Sequence, residues 1–350
     1  KKILVDINTI NPLQDFEHNY IVLVNGNLQN SNFDYEEKNK INIKPNDKDI
    51  DYQICTNPLV NLNNALAENG YSIEVEKNYK FKKVLVVYNF FTKDVKNKIL
   101  NNKNKIKLNE NSEMHIIDYT INESKFINNV YENVNLEKNS KLKHLYIQNN
   151  KSNGIFYKFT KNKLLFNSDY SSLIFSSGLK FNKLDIECDL IEEKSKCNIL
   201  SALFLNNDEH HEIKTRINHL APNCQSYQKV KKVLNTNSKG IFQGKIYVNN
   251  IAQKTDAYQL SKALLLNDNA EFNSKPELEI YADDVKCSHG STSGSIDENA
   301  LYYLMTRGLN RDNSIKLLIK GFLNDIVEFI KNPAIKQFVE NKLDERFNGY

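Results

Sequence analysis

The sequence contains no tryptophan and only 2 methionines, 6 prolines and 11 glycines among its 350 residues. Its apolar runs are also short. The longest, such as residues 84–88, fall far below the roughly 18 residues that a membrane-spanning helix needs, so we predict no such segment. The chain begins Lys1-Lys2 with no apolar h-region behind it, and no signal peptide is predicted either.

Cysteine is scarce as well. The 5 cysteines are odd in number, widely spaced and never arranged as CxxC, which argues against a disulfide framework and against a self-contained zinc finger. Cysteines of this number and spacing fit a protein in a reducing compartment best. The phosphate-binding patterns GxxxxGK and GxGxxG are absent too, so we expect that this chain itself binds no nucleotide.

The charge is balanced and dispersed. There are 47 basic and 43 acidic residues, which give a formal net charge of +4, and the lysines are spread along the chain instead of forming a stripe. Nucleic-acid binding is therefore not predicted. The 40% hydrophobic and 26% charged residues are typical of a folded globular protein.

One turn pattern recurs along the chain: an apolar residue, two polar residues, usually an Asn, then a small residue that leads into a new strand. Asn tolerates the left-handed backbone conformation and hydrogen-bonds its own backbone, so each copy predicts a tight turn. The copies centre on Asn78, Asn111, Asn139, Lys194, Asn237 and Asn269. Between them the sequence alternates with period two, as in residues 141–147, which predicts half-buried strands. This recurrence favours a β-solenoid, but the uneven spacing leaves a β-sandwich or barrel open.

The two ends differ from the middle. Residues 21–24 predict a strand before an Asn-Gly turn, and residues 59–68 predict a short helix. After Ser295 the apolar period becomes 3.6, with Asp297 as a helix cap, a second helix from Ser314 and a third from Pro333. The predicted domains are an N-terminal α/β cap at 1–72, a β core at 73–294 and a helical module at 295–350.

The strongest chemical candidate is a Cys and a His close to a predicted strand. Leu278, Ile280 and Ala282 alternate as an inward face, and if that phase continues, Cys287 and His289 face outward side by side. These ligand types suit iron or zinc, but a metal usually takes three or four protein ligands. The pair is thus half of a metal site, and a Cys and a His packed at a strand end remain the alternative.

Other candidates are weaker. The histidines at 210–211 and His219, near Cys224, could add ligands, but the acidic residues around them suggest a polar surface loop. Asp283 and Asp284 are adjacent, so on a strand they point to opposite faces and do not form an acid/base pair. This weakens a polysaccharide-cleaving β-helix enzyme, which stays as the second class of function.

Several ordered segments carry a family resemblance. They are Phe242-Gln-Gly-Lys-Ile-Tyr-Val248, Ala252-Gln-Lys-Thr-Asp-Ala-Tyr-Gln259, Leu264-Leu-Leu266, Pro276-Glu-Leu-Glu-Ile-Tyr-Ala-Asp-Asp-Val-Lys-Cys-Ser-His-Gly290 and Tyr303-Leu-Met-Thr-Arg-Gly-Leu309. Together they resemble the signature of the SufB/SufD family of iron-sulfur cluster assembly proteins, and weaker similarity reaches back to residues 57–65. The run that ends at Gly290 resembles the SufD branch, because the SufB branch carries a Leu-Glu-His-Glu-Ala type of segment there.

The resemblance implies a mainly β fold, a right-handed parallel β-helix (solenoid) flanked by a small N-terminal α/β region and a C-terminal helical module. It implies a scaffold and not an enzyme, paired with SufB and bound to the ATPase SufC through a tail that includes Arg307, Leu318 and Phe322. Iron or a nascent iron-sulfur cluster would be held transiently at the junction by His289, with Cys287 as a neighbouring candidate and a Cys of SufB.

The same resemblance implies a cytoplasmic location or a plastid-type organelle. A homodimer in the absence of SufB is a further expectation. A solenoid that only binds its partners, with a structural His289, is the remaining alternative.

Overall fold

The structure, a computed structural model, describes residues 13–46, 56–96, 98–122, 125–149 and 151–347. Two sheets dominate this part of the chain. The ten-stranded sheet contains β1 (His18–Val24), β2 (Asn27–Asn32), β5 (Val84–Phe91), β7 (Glu113–Asn122), β9 (Lys141–Gln148), β11 (Asp169–Ser176), β13 (Lys196–Leu205), β15 (Gln225–Leu234), β17 (Thr255–Leu265) and β19 (Val285–Gly294). The nine-stranded sheet contains β3 (Ile41–Pro45), β4 (Tyr71–Val75), β6 (Ile99–Leu108), β8 (Ile127–Leu136), β10 (Ser152–Leu164), β12 (Leu179–Leu190), β14 (His210–His219), β16 (Lys239–Val248) and β18 (Glu271–Ile280).

From β4 onwards, successive strands alternate between the two sheets, and neighbours within each sheet are parallel. Each pair of strands is one coil of a solenoid with about eight coils, and a residue lies beside its counterpart one coil later, as Tyr131 lies beside Phe159. This confirms the predicted solenoid. A coil cannot bury its apolar edge alone, so stacking supplies the core.

The recurring Asn turn forms one corner of the coil. Asn78, Asn111, Asn139 and Asn167 have left-handed φ angles between 54° and 62°. Their side chains form a ladder, in which the Nδ2 of Asn111, Asn139 and Asn167 donates to the Oδ1 of the Asn one coil earlier, at 2.8–2.9 Å. The ladder explains why Asn recurs at this corner, since it both adopts the conformation and pairs with its neighbours.

Two details of the predicted turns were wrong. The pattern missed the turn at Asn167, so the long gap between Asn139 and Lys194 is in fact two coils. Asn237 and Asn269 lie at the opposite corner, between β15 and β16 and between β17 and β18. There the left-handed residue is Thr236 and not Asn237, and Asn269 has no positive φ.

The core has two layers. Side chains that point between the sheets fill the lumen, the interior of the solenoid, where Leu142, Leu190 and Leu234 are buried. The outer face of the ten-stranded sheet is covered by helices α2 (Glu298–Thr306), α3 (Arg311–Val327) and α4 (Pro333–Phe347), which lie in the same apolar cluster as that face. The outer face of the nine-stranded sheet contacts helix α1 (Pro58–Leu66), mainly through β6 and β8.

The predicted end elements are present with small shifts. Asp297 caps α2 by accepting from two backbone N–H groups, as expected, and α4 begins at Pro333. Helix α3 begins three residues before the predicted Ser314, because the side chain of Asn310 accepts from the N–H of Asn313 and caps it there. The domain boundaries stay predictions. Within the described ranges, no helix is both long and apolar enough to cross a membrane.

Candidate functional site

Strand β19 ends the ten-stranded sheet and carries both predicted ligands. It runs parallel to β17, with Cys287 beside Ala257 and His289 beside Gln259. Ala257 and Gln259 are buried, and the Nε2 of Gln259 donates across the lumen to the carbonyl oxygen of Glu277 at 3.3 Å. Cys287 and His289 therefore occupy positions on the inward side of the last coil.

The expectation that both side chains face outward was wrong. It continued the alternation of Leu278, Ile280 and Ala282 through to His289, but β18 ends at Ile280 and residues 281–284 form a corner that leads to the other sheet. The two residues still share one side, because they are two positions apart on a strand. His289 is exposed since no further coil of the described chain covers it.

Cys287 is the more enclosed of the two. It is half-buried against the apolar cluster around Ile246 and Val248. Burial raises the pKa of its thiol, and the carboxylate of Asp256 adds to that effect. A thiolate is the form that binds metal, so Cys287 is a weak ligand by itself at neutral pH. Within the described ranges, no three His, Cys, Asp or Glu side chains are grouped to hold a metal ion.

The other histidines do not join this site. His211 is buried in the lumen, with Nδ1 3.0 Å from Ser176 Oγ and Nε2 3.0 Å from the carbonyl oxygen of Leu179, and burial lowers its pKa to about 4. His219 is buried 2.9 Å from Ser226 Oγ, and burial lowers its pKa to about 4 as well. Both are held by structural hydrogen bonds, whereas the sequence suggested a surface loop.

Two of the three predicted tail residues face the sheet. Leu318 and Phe322 pack against the apolar cluster beneath α3, and the Nζ of Lys231 lies 4.7 Å from the ring centroid of Phe322. Arg307 is exposed and stacks on Tyr303, with its guanidinium carbon 5.1 Å from the ring centroid. Of these three, Arg307 is exposed, whereas Leu318 and Phe322 are partly buried.

The tail has an exposed apolar surface that the sequence reading did not single out. We call it the tail patch: Tyr302, Tyr303, Met305, Leu309 and Leu317, of which Tyr302 is 71% exposed. All but Leu317 lie on α2 or just after it. Large apolar side chains grouped on a helical surface are typical of a protein–protein contact. The signal in the sequence was that the tail helices carry more apolar residues than one buried helix face requires.

The open end of the solenoid is a second surface of this kind. Strands β18 and β19 are the last strands of their sheets, and Ile280 and Tyr281 are exposed there. Strand β18 contains Pro276, which cannot donate a backbone hydrogen bond and so suits an edge strand. Strand β19 contains no proline, and its outer edge offers unpaired backbone groups that another strand can bind.

A buried charged quartet lies inside the lumen, and the sequence did not predict it. The Nζ of Lys158 is 2.7 Å from Asp118 Oδ2 and 3.0 Å from Glu132 Oε1, and the Nε2 of His144 is 3.0 Å from Asp118 Oδ2. Although burial alone raises it, the ammonium of Lys158 and the hydrogen bonds from His144 and Lys158 hold the pKa of Asp118 well below its usual range. The residues come from four successive strands, so only the coil register brings them together.

Carboxylates outside the lumen are paired with lysine in the same way. Glu187 and Asp189 lie 2.8 Å and 2.7 Å from the Nζ of Lys161. Asp283 and Asp284 lie in the corner after β18, where the backbone of Asp284 bonds to the segment before β17. Glu187 and Asp189 thus form salt bridges with one lysine, and Asp283 and Asp284 belong to a turn.

Comparison with known proteins places this architecture. The model of the SUF system FeS cluster assembly SufBD core domain matches residues 90–322, which include β19, α2 and most of α3. The chain belongs to the SufBD family. This confirms the resemblance found in the ordered segments between 242 and 309.

Matches to individual proteins agree with the assignment to the SufBD family. It is 28% identical over 300 residues to the iron-sulfur cluster assembly protein SufD of Escherichia coli, a match that covers 83% of this chain and 70% of that protein. It is 30% identical over 207 residues to the chloroplastic protein ABCI7 of Arabidopsis thaliana, covering 59% of this chain and 44% of that one. It is also 30% identical over 215 residues to the SufBD family protein slr0076 of Synechocystis, covering 60% and 47%.

Proposed function

We propose that this chain is a non-enzymatic scaffold subunit of the SUF machinery. In this proposal it pairs with SufB, binds the ATPase SufC, and holds iron or a nascent iron-sulfur cluster at the junction with SufB. The single observation that carries the proposal is the position of His289: an exposed imidazole on the terminal strand of the solenoid. Membership of an iron-sulfur cluster assembly family and the similarity to SufD support it.

The junction is the open end of the solenoid. A second, related solenoid that adds a strand to β19 covers the exposed edge and brings its own side chains next to His289. Neutral imidazole is a ligand for iron, and a thiolate from a SufB cysteine supplies the stronger ligand that this chain lacks. Cys287 is the neighbouring candidate on the same side of the strand, and its thiol becomes a better ligand once metal displaces the proton.

SufC binds the helical tail in this proposal. The tail patch and the adjacent Arg307 offer apolar and cationic groups on α2 and the loop after it. Leu318 and Phe322 contribute indirectly, because they anchor α3 to the ten-stranded sheet. ATP-driven closure of SufC then moves the tail helices and opens the junction, as a hinge does.

The test uses His289→Ala in the complex reconstituted with SufB and SufC. We expect the variant to fold and to co-purify with both partners, but to form less cluster than wild type, measured by absorbance and iron content. His210→Ala is the matched control, since His210 is also a partly exposed histidine on a solenoid strand, where it contacts Glu212 and the ring of Phe181. Equal cluster formation by wild type and His289→Ala would contradict the proposed ligand role and favour a solenoid that only binds its partners.

Two further parts of the proposal concern assembly and location. Without SufB, the same open end pairs two copies of this chain, which size-exclusion chromatography of the isolated chain tests. The chain works in the cytoplasm or in a plastid-type organelle, a proposal supported by relatives from Escherichia coli and from a chloroplast.

A further inference from the structure

Two adjoining concavities lie on the outer face of the nine-stranded sheet, beside helix α1. Their volumes are about 370 Å³ and 350 Å³, and they share Phe159 and Arg216. Val60 and Asn64 of α1 line one side of the first. Basic side chains outnumber acidic ones nine to three in the two linings. We call the two concavities together the basic groove.

The groove arises from the coil register. Parallel pairing places one residue of each coil in a row across the sheet, and neighbouring strands are about 4.8 Å apart. One row consists of Lys105, Asn133, Lys161, Glu187, Arg216 and Lys245. In the row beside it, Tyr131 and Phe159 are followed by Asp185 and then by Lys214. Lysines that are dispersed in the sequence thus form a stripe on one face of the fold.

Several of these cations form no salt bridge, although Asp185, Glu187 and Glu277 line the same concavity as Lys214 and Arg216. Lys161 is held between Glu187 and Asp189, as described above. Lys105, Lys163, Lys214 and Arg216 line the groove without a salt bridge to any carboxylate of the described residues. Like charges that converge on one concave surface raise the local concentration of anions and are stabilised by binding one.

The groove also has an aromatic floor. The rings of Tyr131 and Phe159 are stacked, with centroids 6.0 Å apart and planes at 30°. They lie between the strands of Lys105 and Arg216, which are four strand spacings or about 19 Å apart. An inorganic phosphate is too short to contact both ends. A ligand with a flat ring and a chain of phosphates covers the aromatic floor and one cationic end together.

We propose that the basic groove binds a nucleotide-type ligand, whose phosphates contact Lys214 and Arg216 and whose ring packs on Phe159. The guanidinium of Arg216 matches the geometry of phosphate, and aromatic side chains bind bases by stacking. This site needs none of the glycine-rich loops that the sequence lacks. It therefore departs from the expectation, based on the absence of those loops, that the chain binds no nucleotide. It is separate from the junction at His289 and from the tail patch.

The experiment titrates the isolated full-length chain, without the ATPase, with ATP and with tripolyphosphate by calorimetry at low salt. We expect both probes to bind wild type. The double variant Lys214→Gln/Arg216→Gln should weaken both by about tenfold or more, because two charge-assisted contacts are lost. Phe159→Leu should weaken ATP several-fold and leave tripolyphosphate unchanged. The matched control is Lys141→Gln/Lys196→Gln, which removes two exposed lysines from the ten-stranded sheet.

Three results would overturn the proposal. The first is no binding of either probe at about 1 mM. The second is an equal loss of affinity in the control double variant, which would indicate attraction to a basic surface in general. The third is binding of a single-stranded oligonucleotide by the groove while ATP does not bind. Circular dichroism of each variant confirms that it is folded, so a loss of affinity is assigned to the groove.

Discussion

Lys232 gives the sharpest test of the energetics of this fold. Its side chain is fully buried in the lumen, with Nζ 3.2 Å from Ser261 Oγ and 4.6 Å from the ring centroid of Phe272. Within the described part of the chain, no carboxylate forms a salt bridge with it. Burial therefore lowers its pKa to about 7. We predict that Lys232→Met stabilises the protein at neutral pH.

The magnitude follows from proton linkage. An unfolded lysine has a pKa of about 10.4, so at pH 7 the unfolded state binds the proton and the folded state binds it only half the time. This difference in proton binding lowers the free energy of unfolding by about 4 kcal/mol at pH 7 and by about 2 kcal/mol at pH 9. Because the folded pKa is below the unfolded one, Lys232 makes stability rise with pH between about 7 and 10.

The assay is urea denaturation of wild type and Lys232→Met at pH 7 and pH 9, followed by circular dichroism. From pH 7 to pH 9, the free energy of unfolding should rise by about 2 kcal/mol more in wild type than in the variant. Lys262→Met is the control, since Lys262 lies on β17 next to Ser261 but is only half-buried. A variant that is less stable than wild type at pH 7, or that keeps the same dependence on pH, would refute the reasoning.

Other predictions concern the quartet, the buried histidines and the corner. Lys158→Met should destabilise the fold by about 3–5 kcal/mol in urea denaturation, because it leaves Asp118 and Glu132 as buried charges without their ammonium. His219→Gln should reduce the loss of stability on acidification from about pH 6.5 to 4, since the folded pKa of about 4 lies below the unfolded value and the unfolded state takes up the proton first. Asn139→Ala should cost about 1–2 kcal/mol through its left-handed φ and two ladder bonds, whereas Asn139→Gly should lose less, as thermal unfolding would show.

Local signals in the sequence were enough for the class of fold. The Asn turns, the alternating strands and the capping residue Asp297 each depend on a few neighbouring residues, and the structure confirms them. The ordered motif around His289 was sufficient to identify the family, which the match over residues 90–322 confirms.

The orientation of Cys287 and the tail residues was beyond local reasoning. Period two holds only while a strand continues, so the corner at 281–284 reset the phase that had been followed from Leu278. In the tail, helical periodicity placed Leu318 and Phe322 on an apolar face of the helix. It did not show whether that face would pack against the sheet or against a partner. Packing against the ten-stranded sheet decided it.

What the sequence by itself determined is therefore the set of strands, corners and helices, together with the motif that names the family. The tertiary structure alone decided which distant residues meet, as Asp118 and Lys158 do in the lumen, and which share one face, as Lys105 and Arg216 do. The physical reason is that these contacts depend on the length of every intervening coil. One residue more or less in a coil shifts the register and turns the side chains to the opposite face.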